Sequence, residues 1–268
     1  MSTIREIFEE HKTYANQLFK LALADIERTY RGATLGWSWA VIKPAVTIFV
    51  YWFAFDVGLR GGQDMDGYPF FLWLLAGISS WFYMGDMINT GASSIRKYSH
   101  LVTKMKFPVS TIPTFVNMAG LIVHMAIMVL VFITFMISGH MPDVYWLQVL
   151  YYMFWMFVFS NAWSLFAGMI SAMSKDFNNL VKSMTMAIFW LSGIMYDPTR
   201  IDIPWLRVLF KFNPVTFVST GYRYSLIYQR GFWEDPSETY CFLITLAVMI
   251  LLSLWAYKKL RKDIPDVL

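Results

Sequence analysis

The sequence predicts an all-α, polytopic membrane protein, and three observations predict it. Of 268 residues, 57% are hydrophobic and only 15% are charged, against about 45–50% apolar and about 25% charged in soluble domains. Charge-poor apolar stretches of about 20 residues recur along the chain, the length a helix needs to cross a bilayer. The Lys and Arg residues gather in alternate short connections between those stretches. Gly (15), Pro (10) and a single cysteine, Cys241, exclude collagen-like and disulfide-stapled classes, and one thiol allows neither an internal disulfide nor a cysteine metal site.

Six spans are predicted, near residues 38–58, 68–88, 115–137, 144–173, 180–196 and 240–257. The net charge of +4 is small, so its distribution matters more. Arg5, Lys12, Lys20, Arg28 and Arg31 precede the first span, and the first loop holds Arg60 alone. The second loop holds Arg96, Lys97, Lys104 and Lys106, and the third holds no cation. Lys175 and Lys182 flank the fourth, and Lys258, Lys259, Arg261 and Lys262 follow the last span. By the positive-inside rule both termini face the cytoplasm. The fifth connection, with Arg200, Arg207, Lys211, Arg223 and Arg230, breaks the alternation.

Residues 1–37 form a first unit and 38–268 the spanning unit. The first 35 residues lack the apolar core of a secretory signal. Ile4, Phe8, His11, Ala15, Leu18, Ala22 and Ile26 recur at spacings of three and four, which predicts an amphipathic helix of about six turns. It is expected to lie in the inner membrane face, because it feeds directly into a span and combines aromatic with basic residues. A cytosolic helix packed on the bundle has the same pattern.

The fifth connection, 197–239, is too apolar for a solvated loop. Pro198, Pro204, Pro214 and Gly221 break it, so no 20-residue helix fits. Two short helices that dip into the outer leaflet and return satisfy both facts, since backbone turning within a membrane must be shielded or line a wet cavity. Interfacial helices without a transport role are the alternative. In the cytosolic loop 92–112, residues 96–108 carry four cations and no anion, with Leu101 and Met105 at helical spacing. A short amphipathic helix there suits docking of a cytosolic partner; the cations also serve topology.

No catalytic or metal-binding constellation is visible. There is no G-x-x-x-x-G-K-[ST] for nucleotide phosphates, and Gly36-Trp37-Ser38-Trp39-Ala40 lacks the strand–turn–helix setting of a nucleophile elbow. His124 lies mid-span and is expected to bond a neighbouring helix; Asp86 lies near the end of its span, within reach of water. Aromatic residues make up 19%. Interfacial belts account for many, but Phe71, Trp73, Trp81 and Tyr83 sit in a denser cluster. These rings either pack the core or face a conduit, where they could stack on sugar rings.

Several stretches carry a resemblance. Tyr30-Arg31-Gly32-Ala33-Thr34-Leu35-Gly36-Trp37 before a span with Pro44 is similar to the start of permeases of ABC-type cell-surface polysaccharide exporters. The run from Trp73 through Gly77 to Trp81-Phe82 resembles their second span, and Lys104-Met105-Lys106-Phe107-Pro108 resembles their coupling segment. Asn213-Pro214 and Gly221-Tyr222-Arg223-Tyr224 resemble the feature before their last span. Within that family, Val50-Tyr51-Trp52-Phe53-Ala54-Phe55 and Phe107-Pro108-Val109-Ser110-Thr111-Ile112-Pro113 look closest to wall teichoic acid exporter permeases, with O-antigen and capsule permeases also similar.

The resemblance implies the type 2 ABC exporter fold: six transmembrane helices, an N-terminal interface helix and re-entrant gate helices in 197–239. It implies a permease in the bacterial plasma (inner) membrane, not an enzyme, that moves an undecaprenyl-diphosphate-linked polymer outward. Two copies would pair with two cytosolic ATPase subunits, which would bind ATP and Mg; this chain would hold no cofactor, and no nucleic-acid partner is expected. Leu101, Lys104, Met105, Lys106 and Phe107 are then the coupling residues. Arg28 and Arg31 are expected to meet the lipid diphosphate, with Asp25 and Glu27 nearby as opposing charge. Pro204, Trp205, Asn213, Pro214, Tyr222 and Arg223 would belong to the gate. A six-span carrier needing no ATPase, or an intramembrane enzyme on lipid-linked glycans, are the competing readings.

Overall fold

The computed structural model describes residues 3–59, 64–105 and 107–268. Among the described residues the chain is helical, and only an isolated bridge between Met65 and Tyr68 has strand character. Helix α1 (Thr3–Tyr30) is followed by a turn with Gly32 and Gly36 at positive φ, then by a 3-10 turn (Gly36–Ser38). Helix α2 (Trp39–Trp52) runs on as a π-helix (Phe53–Leu59). Next come α3 (Phe70–Lys97), α4 (Ser99–Thr103) and α5 (Thr111–Ile137). A 3-10 turn (Val144–Leu147) leads into α6 (Gln148–Met173), and α7 (Lys175–Trp190) follows.

The proline-rich connection forms a 3-10 turn (Pro198–Arg200), α8 (Pro204–Lys211) and α9 (Pro214–Arg223), the last continuing as a π-helix (Tyr224–Tyr228). Each break has a local cause. Asn213 accepts the Val215 N–H at 2.9 Å and Pro214 occupies the first turn, so Asn-Pro both ends one helix and starts the next. Asp235 and Pro236 repeat the device at the start of α10 (Pro236–Leu260), which is followed by α11 (Ile264–Val267).

Among the described residues, four helical segments are long and apolar enough to cross a membrane: Phe70–Thr103, Thr111–Ile137, Val144–Met173 and Pro236–Leu260. The stretches expected as the first and fifth spans are less regular. Helix α2 has 14 residues with Pro44 inside it, where the missing N–H leaves a carbonyl one turn earlier without its partner. Helix α7 has 16 residues and gives way to turns before residue 196.

Helix α3 is central, packing against α5, α6, α7 and α9. Small residues permit this: a Cβ on Gly91 would overlap Ser164 of α6, the close approach that small residues allow between membrane helices. Trp73, Phe70, Phe135, Tyr222, Phe242 and Met156 fill the main core. A second core, with Leu18, Tyr98, Leu101, Phe115, Tyr257 and Ile264, joins α1, α4, α5 and the chain's C-terminal end.

Helix α1 forms as expected but is rolled relative to the expected face. Leu18 and Ala22 are buried, whereas Ile4 and Phe8 are each 64% exposed. Ile7, Tyr14 and Leu21 pack on the bundle instead. The periodicity alone could not choose, because Ile4, Phe8, Phe19 and Leu23 form a second apolar line, which remains open. A buried side chain such as Leu18 is worth about 1.5–3 kcal/mol against water.

Candidate functional site

Both ends of the chain and the loop 92–112 gather at one end of the bundle, held by polar ties. Asp25, buried on α1, accepts from Lys97 Nζ at 2.8 Å and from the Tyr98 hydroxyl. Glu10 accepts from the Ser110 hydroxyl and, at 3.1 Å, from Tyr257. Glu6 pairs with Arg261, and His11 Nε2 bonds Thr114 Oγ1 at 2.8 Å. Glu6, Glu10 and Asp25 are therefore fasteners between α1, the loop and the C-terminal segment.

The expected coupling residues divide along this end. The helix expected there shrinks to α4, so Leu101 and Met105 do not share a face. Leu101 is buried in the second core and Met105 is 68% exposed. Phe107 packs edge-on against Tyr14 of α1, with ring centres 4.9 Å apart. Lys104 is exposed beside Met105, and Lys106 lies outside the described residues, as does Arg60. The outward part of the loop is thus a small knob of Lys104 and Met105, with Leu101 and Phe107 as its root.

The two arginines expected at a diphosphate entrance are already engaged. Arg31 pairs with Glu27 at 3.6 Å on an open surface, and Arg28 lies 5.5 Å from the centre of the Tyr98 ring. Both remain at the basic end, but they do not converge on one pocket.

Around α9 the expected gate residues form a dense network. Arg223 is fully enclosed: its guanidinium lies 3.5 Å from the centre of the Trp73 ring and donates to the carbonyls of Gly193 (2.9 Å) and Ile194 (2.6 Å). Gly77 makes room for it, since a Cβ there would overlap the guanidinium. Gly193 has φ 65°, which presents its carbonyl from a tight turn after α7. Trp73 Nε1 donates to Tyr228 Oη at 2.9 Å, and Tyr228 donates to Asp66 at 2.7 Å. Asp66 also receives Arg200. Tyr228, then Arg200, hold this carboxyl below its usual value despite partial burial.

Tyr222 of α9 bonds His124 of α5 at 2.9 Å, as expected for a mid-span histidine answering a neighbouring helix. Pro204 and Trp205 begin α8, and Trp205 is exposed while Tyr222 and Arg223 are enclosed. Of the four aromatics weighed as channel residues, Trp73 and Tyr83 are sealed within the packing and Phe71 and Trp81 are half-buried. Trp81 leans on Phe189, Phe71 on Trp52, and the four share no open face.

Sequence reading missed a further feature. Asn179, Lys182 and Ser183 of α7 lie open to the outside of the bundle, continuing through Met186 and Trp190 at helical spacing. Hydrocarbon would leave the Asn179 amide and the Lys182 amine unsatisfied, whereas the Ser183 hydroxyl donates to the Asn179 backbone carbonyl at 3.0 Å. The same helix's opposite side is anchored by Val181, Phe189 and a bond from Thr185 to Asn89 of α3 at 3.1 Å. The signal was present as polar residues inside the expected fifth span. Among the described residues no group of three or more His, Cys, Asp or Glu could hold a metal ion.

Comparison with known proteins agrees along nearly the whole chain. The profile described as ABC-2 type transporter matches residues 16–227. A relative named O-antigen export system permease protein RfbA, from Myxococcus xanthus, is 25% identical over 256 residues, covering 94% of this chain and 92% of its own. A protein of the same name from Klebsiella pneumoniae is 22% identical over 246 residues, covering 91% and 92%.

Proposed function

The chain belongs to the ABC-2 type transporter family, and we propose that it is the membrane subunit of an ATP-driven exporter of a lipid-linked cell-surface polysaccharide. Its place is the bacterial inner membrane, with both termini in the cytoplasm. Two copies face each other, α2 and the 16-residue α7 complete six spans per copy, and cytosolic ATPase subunits bind the ATP and Mg. The observation that carries this reading is the uncovered side of α7, where Asn179 and Lys182 stand open beside Leu180, Met184 and Met186; lipid would penalise the amide and the amine, and a wet conduit between two copies would satisfy them.

The coupling end supports the same reading. A push on the Lys104–Met105 knob reaches Leu101 and Phe107, and from them α1 through Tyr14 and Asp25. Tilting α1 and α3 together would shift α9, which rests on α3. For the cargo, both relatives are named for O-antigen export, which favours a polysaccharide of that class over the teichoic acid expected from the sequence. Arg28 and Arg31 contribute positive charge near the entrance, without forming a closed diphosphate site.

The test is reconstitution in vesicles with the ATPase subunit. Flipping of the lipid-linked polymer is expected only with ATP and a competent ATPase. Transport by this chain alone would move it to the carrier class.

A further inference from the structure

Between α1, α2, α3 and α5 lies a cleft of about 390 Å³ that the export reading does not use. Its polar walls include Lys43, Asp86, Lys97 and Asp25. Lys97 and Asp25 satisfy each other at 2.8 Å. Lys43 and Asp86 form no ion pair, although both line the cleft; the larger Coulombic pull on Asp86 comes from Lys97 and a smaller one from Lys43. His124 stands at the inner wall, fully buried, with Nδ1 lacking any partner.

A second cleft, of about 590 Å³, continues along α2 and shares Pro44 and Ile127 with the first. Its walls are apolar, among them Ile48, Phe71 and Leu130. From Lys43 to Trp52 the groove follows about 14 Å of helix. An unpaired cation and an unpaired anion at one end, and an apolar trough leading away from them, match a molecule with both charges on its head and a hydrocarbon tail.

We propose that this cleft is a binding site for a zwitterionic phospholipid bearing a primary amine. Lys43 takes the phosphate, Asp86 takes the ammonium, and an acyl chain lies along α2 against Ile48, Phe71 and Leu130. The balance of charge separates this ligand from others. An anionic phosphatidylglycerol could give its phosphate to Lys43 but has no cation to offer Asp86, and a polyprenyl diphosphate would bring more negative charge than Lys43 offsets. A lipid with a quaternary amine could not donate the hydrogen bonds that an ammonium gives the carboxylate.

The test uses the complex with its ATPase subunit, released from nanodiscs holding equal amounts of phosphatidylethanolamine and phosphatidylglycerol. Native mass spectrometry reads which lipid stays bound. Phosphatidylethanolamine is expected in about tenfold excess, with the excess lost in K43A and in D86N. D86K is expected to turn the preference toward phosphatidylglycerol, and A45W, which fills the trough and leaves the charges intact, to lower retention of both. Should a charge variant fail to fold, a photoactivatable phosphatidylethanolamine decides: labelling of α2, α3 and α5 at the cleft supports the site, and labelling elsewhere overturns it. Equal retention of the two lipids by the wild type, unchanged retention in the variants, or a polyprenyl diphosphate in the cleft would each overturn it. Polymer flipping is not the readout, so the site and the export reading stand or fall separately.

Discussion

The guanidinium of Arg223 lies 3.5 Å from the centre of the Trp73 ring while its nitrogens cap the carbonyls of Gly193 and Ile194. One side chain thereby joins the start of α3, the turn after α7 and the end of α9. A planar fork that both stacks and donates is a role lysine cannot fill. R223K is expected to lose the stacking and one carbonyl contact, at a cost of about 1–3 kcal/mol. R223A, which orphans both carbonyls and empties the space above Trp73, is expected to cost more. Thermal unfolding in detergent checks the order wild type, R223K, R223A; equal midpoints for all three would refute the latch.

Asp25 ties α1 to the loop through Lys97 and Tyr98. D25N keeps the shape and removes the charge, with an expected loss of about 1–3 kcal/mol in docking of α1, moderated because Lys97 is partly open to water. A cysteine placed at Leu18, in a C241S background, should label faster in D25N. In the wild-type background it should stay protected.

Leu101 and Met105 offer a contrast. L101A cuts into the second core and is expected to destabilise by about 2–5 kcal/mol, whereas M105E leaves folding intact, because Met105 is 68% exposed. The prediction for the complex is the reverse in kind: M105E and K104E reduce retention of the ATPase subunit on co-purification. Retention and ATP turnover at the wild-type level in both would remove the knob from the docking surface.

Asp66 predicts an acid response. Its hydrogen bond from Tyr228 and its pairing with Arg200 hold its folded-state value below 3.8. A depressed carboxyl contributes stability that is present above the unfolded value and lost as pH falls through the folded one. The midpoint difference between wild type and D66N should therefore be constant from neutral pH down to about pH 4 and close at lower pH. A difference that stays constant to pH 2.5 would count against the tie.

Much of this architecture was readable in advance for simple reasons. Apolar length marks α3, α5, α6 and α10, and Asn213-Pro214 and Asp235-Pro236 mark helix starts through capping chemistry that acts over two or three residues. Basic runs mark the end where α1, the loop and the C-terminal segment meet. The roll of α1 was not readable, because two apolar lines compete on it and only the neighbouring helices select one. Nor was the outward face of α7, since Asn179 and Ser183 could equally have been turned inward to bond α3.

Composition and local order thus decide that this chain is a helical membrane protein, where most of its helices begin and end, and which end is basic; these depend on residues adjacent in sequence. Whether a given charge is a tie, a latch or a ligand site depends on partners far along the chain. Asp25 meets Lys97, Arg223 meets Trp73, and Asp86 and Lys43 come to share a cleft without touching, because helix packing sets their distances. Electrostatic and hydrogen-bond energies change over a few ångströms, a scale that a one-dimensional pattern does not carry.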